Sequence, residues 1–223
     1  TNILPRVQES VIDLFAAETG VLLAWTRHLL RTPLDKFAKQ VNERIIYELK
    51  ARILDPYLKR NDFWWMGLNQ TDHTLGNWVP WTTGNCLRCF LFVESDARRR
   101  RQAVDKALLS LDKYLAEYSL DGGCDEGPSY WGRSGGSLFE CLEMLTNLTD
   151  KSFDPFKIGI IQQIGQYMYK VHIAGDYFVN FADGSAKAEV EGPILYSYGK
   201  KICDQILSNL GAKMYQFNGL TGL

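Results

Sequence analysis

Apolar residues recur at three- and four-residue spacing along nearly the whole chain, the pattern of amphipathic helices. Val7, Val11, Leu14, Trp25 and Leu29 mark a first helical region, with Gly20 as a point of interruption. Phe37, Val41, Ile45, Leu49 and Ile53 mark a second, opened by Pro33 and closed near Pro56. Val104, Leu108, Leu111, Leu115 and Tyr118 form another stripe, for which Asp96 is the expected N-cap. Leu138, Leu142, Leu145 and Leu148 repeat the pattern, as do Ile161, Ile164, Met168 and Val171; Ile202, Ile206 and Leu210 close the series. Only Tyr177–Phe181 and Ala188–Val190 alternate as strands do, and both are short.

The predicted helices come in pairs joined by short links at Arg31–Pro33, Ser95–Asp96 and Asp150–Pro155. Short links make neighbouring helices antiparallel, so the chain reads as all-α, a row of helical hairpins. The longer connections, rich in Gly, Trp, Asn and Asp, then gather at one end of the row. About seven helices make an open arc, whereas a closed ring of six hairpins needs about twelve. No fixed-period repeat is present. The expected organisation is one helical domain over residues 1–217, with 218–223 as a linker or chain end.

Composition narrows the classes. In 223 residues, 46% are hydrophobic and 23% charged, the balance of a globular chain rather than a disordered one. A formal net charge of -1 gives no global field for nucleic acid or anionic membrane. The basic run Arg98–Arg101 lies beside an apolar stripe and reads as a solvated helix face. No apolar run reaches the ~18 residues of a membrane span. Thr1 is not a natural start, so the lack of a signal peptide excludes nothing. The five cysteines, Cys86, Cys89, Cys124, Cys141 and Cys203, are odd in number, so at least one stays free or pairs with another chain. Cys86 and Cys89 sit in the apolar run Leu87–Val93 without a second such pair, and His28, His73 and His172 lie far apart. Two core-facing thiols are expected, and neither metal nor cofactor is called for.

Candidate chemistry concentrates in three loops. Trp64, Trp65, Trp78, Trp81 and Trp131 lie in or beside them, with Asn, Asp, His and Tyr as neighbours. Indole faces stack on sugar rings while polar side chains bond the hydroxyls, so a carbohydrate groove is expected. The first loop carries His73, Asn77, Trp78 and Trp81 ahead of a helix N-terminus, where an Asn either caps the helix or donates to a carboxylate. The second reads Leu120-Asp-Gly-Gly-Cys-Asp-Glu-Gly-Pro-Ser-Tyr-Trp-Gly-Arg133. Here Gly122, Gly123 and Gly127 permit backbone shapes closed to other residues. Pro128 makes Gly127 extended and starts a helix, placing Ser129, Tyr130, Trp131 and Arg133 on its first turn. Asp125 and Glu126 also suit a helix N-terminus. The third supplies Asp176, Tyr177, Asn180 and Asp183 with Lys187 behind, although Asp183-Gly184 is also an ordinary turn signal.

Asp121-Gly-Gly, then Glu126-Gly-Pro-Ser-Tyr-Trp131 and an amphipathic helix, resembles the heparinase II/III-like polysaccharide lyases. Asn77-Trp78 and Tyr177-Phe-Val-Asn-Phe-Ala-Asp183 fit the same likeness, which covers about Trp64 to Leu210. The resemblance implies an incomplete (α/α) toroid followed by a C-terminal β-sandwich domain not present in this chain. It implies a periplasmic or secreted enzyme acting on an acidic polysaccharide such as a glycosaminoglycan or alginate. Such an enzyme removes the C5 proton of a uronate and expels the 4-linked oxygen. The step needs a group that neutralises the carboxylate, a base, and an acid for the leaving oxygen. By resemblance Tyr130 is the acid/base and Asn77 the neutraliser, while His73, Trp78, Trp81, Glu126, Trp131, Arg133, Tyr177 and Asp183 bind substrate. Tyrosine at its usual pKa of ~10 is a poor base unless a cation lowers it, and Arg133 is the candidate. Two features depart from the family: Trp78 follows Asn77 where several members have a histidine, and a second catalytic His or Tyr would come from the missing sandwich. Two other readings stay open, a non-catalytic carbohydrate-binding or assembly module and a glycoside hydrolase with Glu126 and Asp183 as its carboxylates.

Overall fold

The computed structural model describes residues 9–69, 74–150 and 152–219. The chain is predominantly helical, as its periodicity predicts, with one two-stranded sheet among the described residues. It divides into two compact units, Thr1–Tyr114 and Leu115–Leu223.

In the first unit, Asp13 starts α1 (Leu14–Leu49) by accepting the Ala16 N–H at 2.7 Å. The helix runs through Gly20 without interruption. Non-helical angles at Leu30 and Ala38 kink it on either side of Pro33, so the link expected there is a pair of bends inside one element. The Asn42 amide stabilises the bend by donating to the Arg31 carbonyl (3.1 Å) and to Asp35 (2.7 Å). A π-helical turn, Lys50–Leu54, leads into α2 (Asp55–Lys59), whose first turn holds Pro56. The helical path thus continues through Pro56 instead of closing there, and in the wider turn before it the Ala51 carbonyl accepts from the Ser10 hydroxyl at 3.3 Å.

The most apolar helix, α3 (Trp78–Val93), packs on α1 and buries Val79, Cys86, Leu87, Cys89 and Phe90. Three residues turn it into α4 (Ala97–Glu117), which Asp96 caps by accepting from Arg98 N at 2.8 Å. The nearly buried Glu94 carboxylate organises this turn, accepting from Asp96 N (3.1 Å) and Arg99 Nε (2.7 Å). Burial pushes its pKa up, but those two bonds and the Arg99 charge outweigh burial and hold it below the usual carboxylate range. Arg100 donates to the Glu94 carbonyl at 2.7 Å and Arg99 also pairs with Asp55 at 2.6 Å. Half of the basic run expected to be solvated therefore clamps the turn. From α4, the Lys106 ammonium donates to the carbonyls of Tyr57 and Arg60 and to Asn61 Oδ1, at 2.5–2.7 Å. It thus serves carbonyls at and just beyond the C-terminus of α2 that have no partner within the helix.

The second unit contains α5 (Ser137–Leu148), α6 (Gly159–Lys170), a hairpin of β1 (His172–Ala174) and β2 (Tyr177–Phe178), α7 (Gly192–Lys201) and α8 (Gln205–Gly219). An isolated bridge from Tyr177 to Lys187 extends the hairpin. The stripe Ile202–Leu210 was expected to be one helix and is instead the junction of α7 and α8. Cys203 has φ 58°, and Asp204 caps α8 by accepting from Leu207 N at 2.9 Å. These two helices lie unusually close, since a Cβ on Gly199 would stand 2.5 Å from Ser208 N and Oγ. In the core, Phe139 stacks on Tyr198 at 4.7 Å and Tyr198 touches Phe156 and Trp131. The Tyr198 hydroxyl is satisfied by the Ile161 carbonyl at 2.7 Å.

Candidate functional site

The second and third loops meet within the second unit. Gly127 has φ 88°, in the region that favours glycine, and a Cβ there would stand 2.8 Å from the Phe181 carbonyl and 3.2 Å from Gly184 Cα. Its conformation is therefore more restricted than the extended one expected from the following proline. Pro128–Tyr130 form a 3-10 turn and Gly132–Gly136 a π-helical one, so the expected first turn is helical but irregular. The Ser129 hydroxyl accepts from Ser185 N at 3.0 Å, a second clamp between the loops. Of Gly122, Gly123 and Gly127 in the second loop, Gly122 (φ 79°) and Gly127 need their freedom. Gly123 does not, and serves as N–H donor to Asp121 at 2.8 Å.

Glu126 and Asp183 precede the two clamped glycines, and Asp183 is exposed. Burial raises the Glu126 carboxyl above its ordinary pKa, and the negative charges of Asp183 and Asp125 raise it further. On the same two loops, Tyr130, Tyr177, Val179 and Phe181 are 38–48% exposed, so the rings and hydroxyls among them reach solvent. Lys187 pairs with Asp176 at 3.3 Å and lies 4.9 Å over the Tyr177 ring. The Asp176 carboxylate holds the Lys187 pKa above its usual value. Next to this cluster a cleft of ≈ 580 Å³ is lined by Ser129, Arg133, Glu189, Glu191 and Tyr215 among others.

Trp131 lies at the base of that cleft, almost wholly buried. It is 1% exposed, and its indole N–H donates to the Ile164 carbonyl at 2.8 Å, so most of its ring packs in the core. Trp65 is buried likewise, its N–H given to the Ile12 carbonyl at 2.8 Å. In the first unit Trp64 remains 40% exposed and meets Trp78 at 4.9 Å, forming the aromatic pair of the first loop. Trp81 is half-buried and donates to Glu18 at 2.9 Å. Asn77 is only 7% exposed and makes no side-chain cap to α3. His73 lies outside the described residues.

Glu189 and Glu191 were not singled out from the sequence. The signal was there: Glu191-Gly-Pro193 repeats Glu126-Gly-Pro128, and both triplets start helical segments. All five cysteines are free; four are buried and Cys203 is exposed. Burial pushes the Cys89 thiol up to about 12 and the Cys86 thiol well above its usual value, so both are unreactive packing groups. Among the described residues no three metal-ligating side chains cluster, and no helix is long and apolar enough to cross a membrane. Compared with known protein families and with curated proteins, the chain matches none.

Proposed function

We propose that this chain is the helical part of a polysaccharide lyase of the heparinase II/III-like kind, its hairpins belonging to an incomplete α/α toroid. Its substrate is a uronic-acid-containing polysaccharide and its reaction a β-elimination, with a β-sandwich domain as expected partner and the periplasm or exterior as expected location. One observation carries the reading. Within Glu126-Gly-Pro-Ser-Tyr-Trp131 the tryptophan is core, whereas the tyrosine is 38% exposed on the same clamped loops as two carboxylates and two further aromatic rings.

Acting as the phenolate, Tyr130 takes the C5 proton, the C4–O bond breaks as the C4–C5 double bond forms, and the resulting phenol gives that proton to the leaving oxygen, restoring the phenolate. The resemblance gives carboxylate neutralisation to Asn77, which is 7% exposed in the first unit. Tyr177 and Phe181 supply stacking faces in place of Trp131. Changing Tyr130 to Phe in the protein that carries this chain should abolish release of unsaturated, ultraviolet-absorbing product. Stability should stay within ~0.5 kcal/mol, since the hydroxyl belongs to an exposed side chain. Full activity in that variant ends the assignment.

Glycoside hydrolysis by Glu126 and Asp183 is the second reading. The carboxyl of Glu126, raised above its ordinary pKa by burial and by the negative charge of Asp183 as a general acid requires, favours it, and hydrolysis would leave no unsaturated sugar.

A further inference from the structure

Within the proposed lyase reading, we propose that the cleft beside Tyr130 holds the sugar unit next to the uronate, one without negative charge, and that Glu189 and Glu191 accept hydrogen bonds from it while turning sulfated or acidic units away. The cleft measures ≈ 580 Å³, inside the range of roughly 300–1,000 Å³ that small ligands occupy. Ser129 and Trp131, the neighbours of Tyr130 in the chain, both line it, so a sugar there and a sugar at the Tyr130 hydroxyl can belong to one polymer. Another part of the wall is the start of α7. A Cβ on Gly192 would strike the Tyr215 N and lie 2.7 Å from the Gly211 carbonyl, so α7 begins against the backbone of α8 and Tyr215 is held at the cleft. The Glu191 carbonyl accepts from the N–H groups of Ile194 and Leu195 at 3.1 and 3.2 Å, while its side chain makes no cap. A Cβ on Gly132 would stand 3.9 Å from Glu191 Oε1, so this carboxylate reaches to the second loop.

The lining chemistry selects the ligand. Glu189 and Glu191 are exposed, and among the described residues neither carboxylate has a hydrogen-bond or ion-pair partner. They outnumber the one cation of the lining, Arg133. Glu191 already sets its charge at the N-terminus of α7, so that helix end recruits no ligand anion. Tyr215, 62% exposed, and Pro193 add apolar faces. A pyranose matches both features: its C–H face packs on the tyrosine ring, and its hydroxyls donate charge-assisted bonds to the carboxylates. A sulfate or carboxylate in the same place meets two like charges, which is discrimination by repulsion. Polymers that alternate a uronate with a non-anionic hexose unit therefore fit, whereas polyuronates and polymers sulfated at that unit do not.

The test uses methyl glucoside and its 6-sulfate, with binding to the protein followed by saturation-transfer NMR. Wild type should bind the glucoside about tenfold more tightly than the sulfate. Glu189→Ala combined with Glu191→Ala should weaken glucoside binding about tenfold, because its hydroxyls lose both acceptors. Glu189→Gln combined with Glu191→Gln keeps acceptors but removes the charge, and should bring sulfate binding close to that of the glucoside. Both side chains are exposed, so thermal melts of the two double variants should match wild type. The proposal is overturned if the glucoside does not bind, if the sulfate binds wild type as tightly, or if both double variants bind as wild type does. The lyase reading fails separately, through turnover surviving in Tyr130→Phe.

Discussion

Replacing Trp131 with Phe separates a core tryptophan from a sugar-stacking one. The indole N–H bonds the Ile164 carbonyl at 2.8 Å in a fully buried setting, and the ring touches Tyr198 at 5.9 Å between centroids. Phenylalanine keeps an aromatic ring but has no N–H and less volume. Loss of the buried hydrogen bond costs ~1 kcal/mol. The void left by the smaller ring and its lost transfer energy cost about 1–2 kcal/mol more. Gly135 sets how closely this site is packed, because a Cβ there would lie 2.6 Å from the indole nitrogen. Little room therefore exists for neighbours to close the void, and roughly 2–3 kcal/mol is expected in all. For a chain of this size that lowers Tm by about 4–12 °C. Thermal and urea melts of the two proteins measure it, alongside methyl glucoside binding. A variant with unchanged Tm and lost binding would refute the core assignment and restore Trp131 as a stacking platform.

Two further outcomes follow from packing and charge. Gly199→Ala should destabilise the second unit despite alanine's better helix propensity of ~1 kcal/mol, because its methyl group meets the Ser208 backbone and hydroxyl at 2.5 Å; a thermal melt decides the sign. Lys106→Met should cost about 1–3 kcal/mol at neutral pH by leaving the Tyr57 and Arg60 carbonyls and Asn61 without their donor. Burial pushes Lys106 from the usual 10.5 down to about 8, with Asp62 and Cys86 opposing that shift. Between those values the unfolded chain binds more protons than the folded one, so the Lys106 contribution to stability rises with pH across that window. The stability gap between wild type and Lys106→Met should therefore widen from pH 8 to 10.5, and a constant gap in urea melts would contradict it.

The helices were legible because burial at three- and four-residue spacing is what a helix on a core requires. Asp96 as a cap and the packed pair Cys86 and Cys89 were equally legible, each from local chemistry. The α7–α8 break was hidden because Ile202, Ile206 and Leu210 stay in helical phase across it. Asp204, a good cap three residues before Leu207, was the available signal. Pro33 misled in the opposite way: kinks at Leu30 and Ala38 absorb it, and Asn42 bonds a carbonyl at the bend. The site was readable as a set of loops but not residue by residue. Sequence cannot distinguish a tryptophan that stacks on sugar from one that fills a gap, since both need a large flat ring. Trp131 and Tyr130 are adjacent and meet opposite fates, one 1% and the other 38% exposed. The clamp between the second and third loops brings together Gly127 and Gly184, 57 positions apart in the chain, a contact no local pattern encodes.

The most direct measurement counts two kinds of chain end after incubating the protein that carries this chain with heparan sulfate, chondroitin, hyaluronan and alginate. Each cut by elimination creates one new reducing end and one ultraviolet-absorbing unsaturated uronate, so the account predicts equal numbers of both on at least one polymer. New reducing ends without absorbance would show hydrolysis and contradict it.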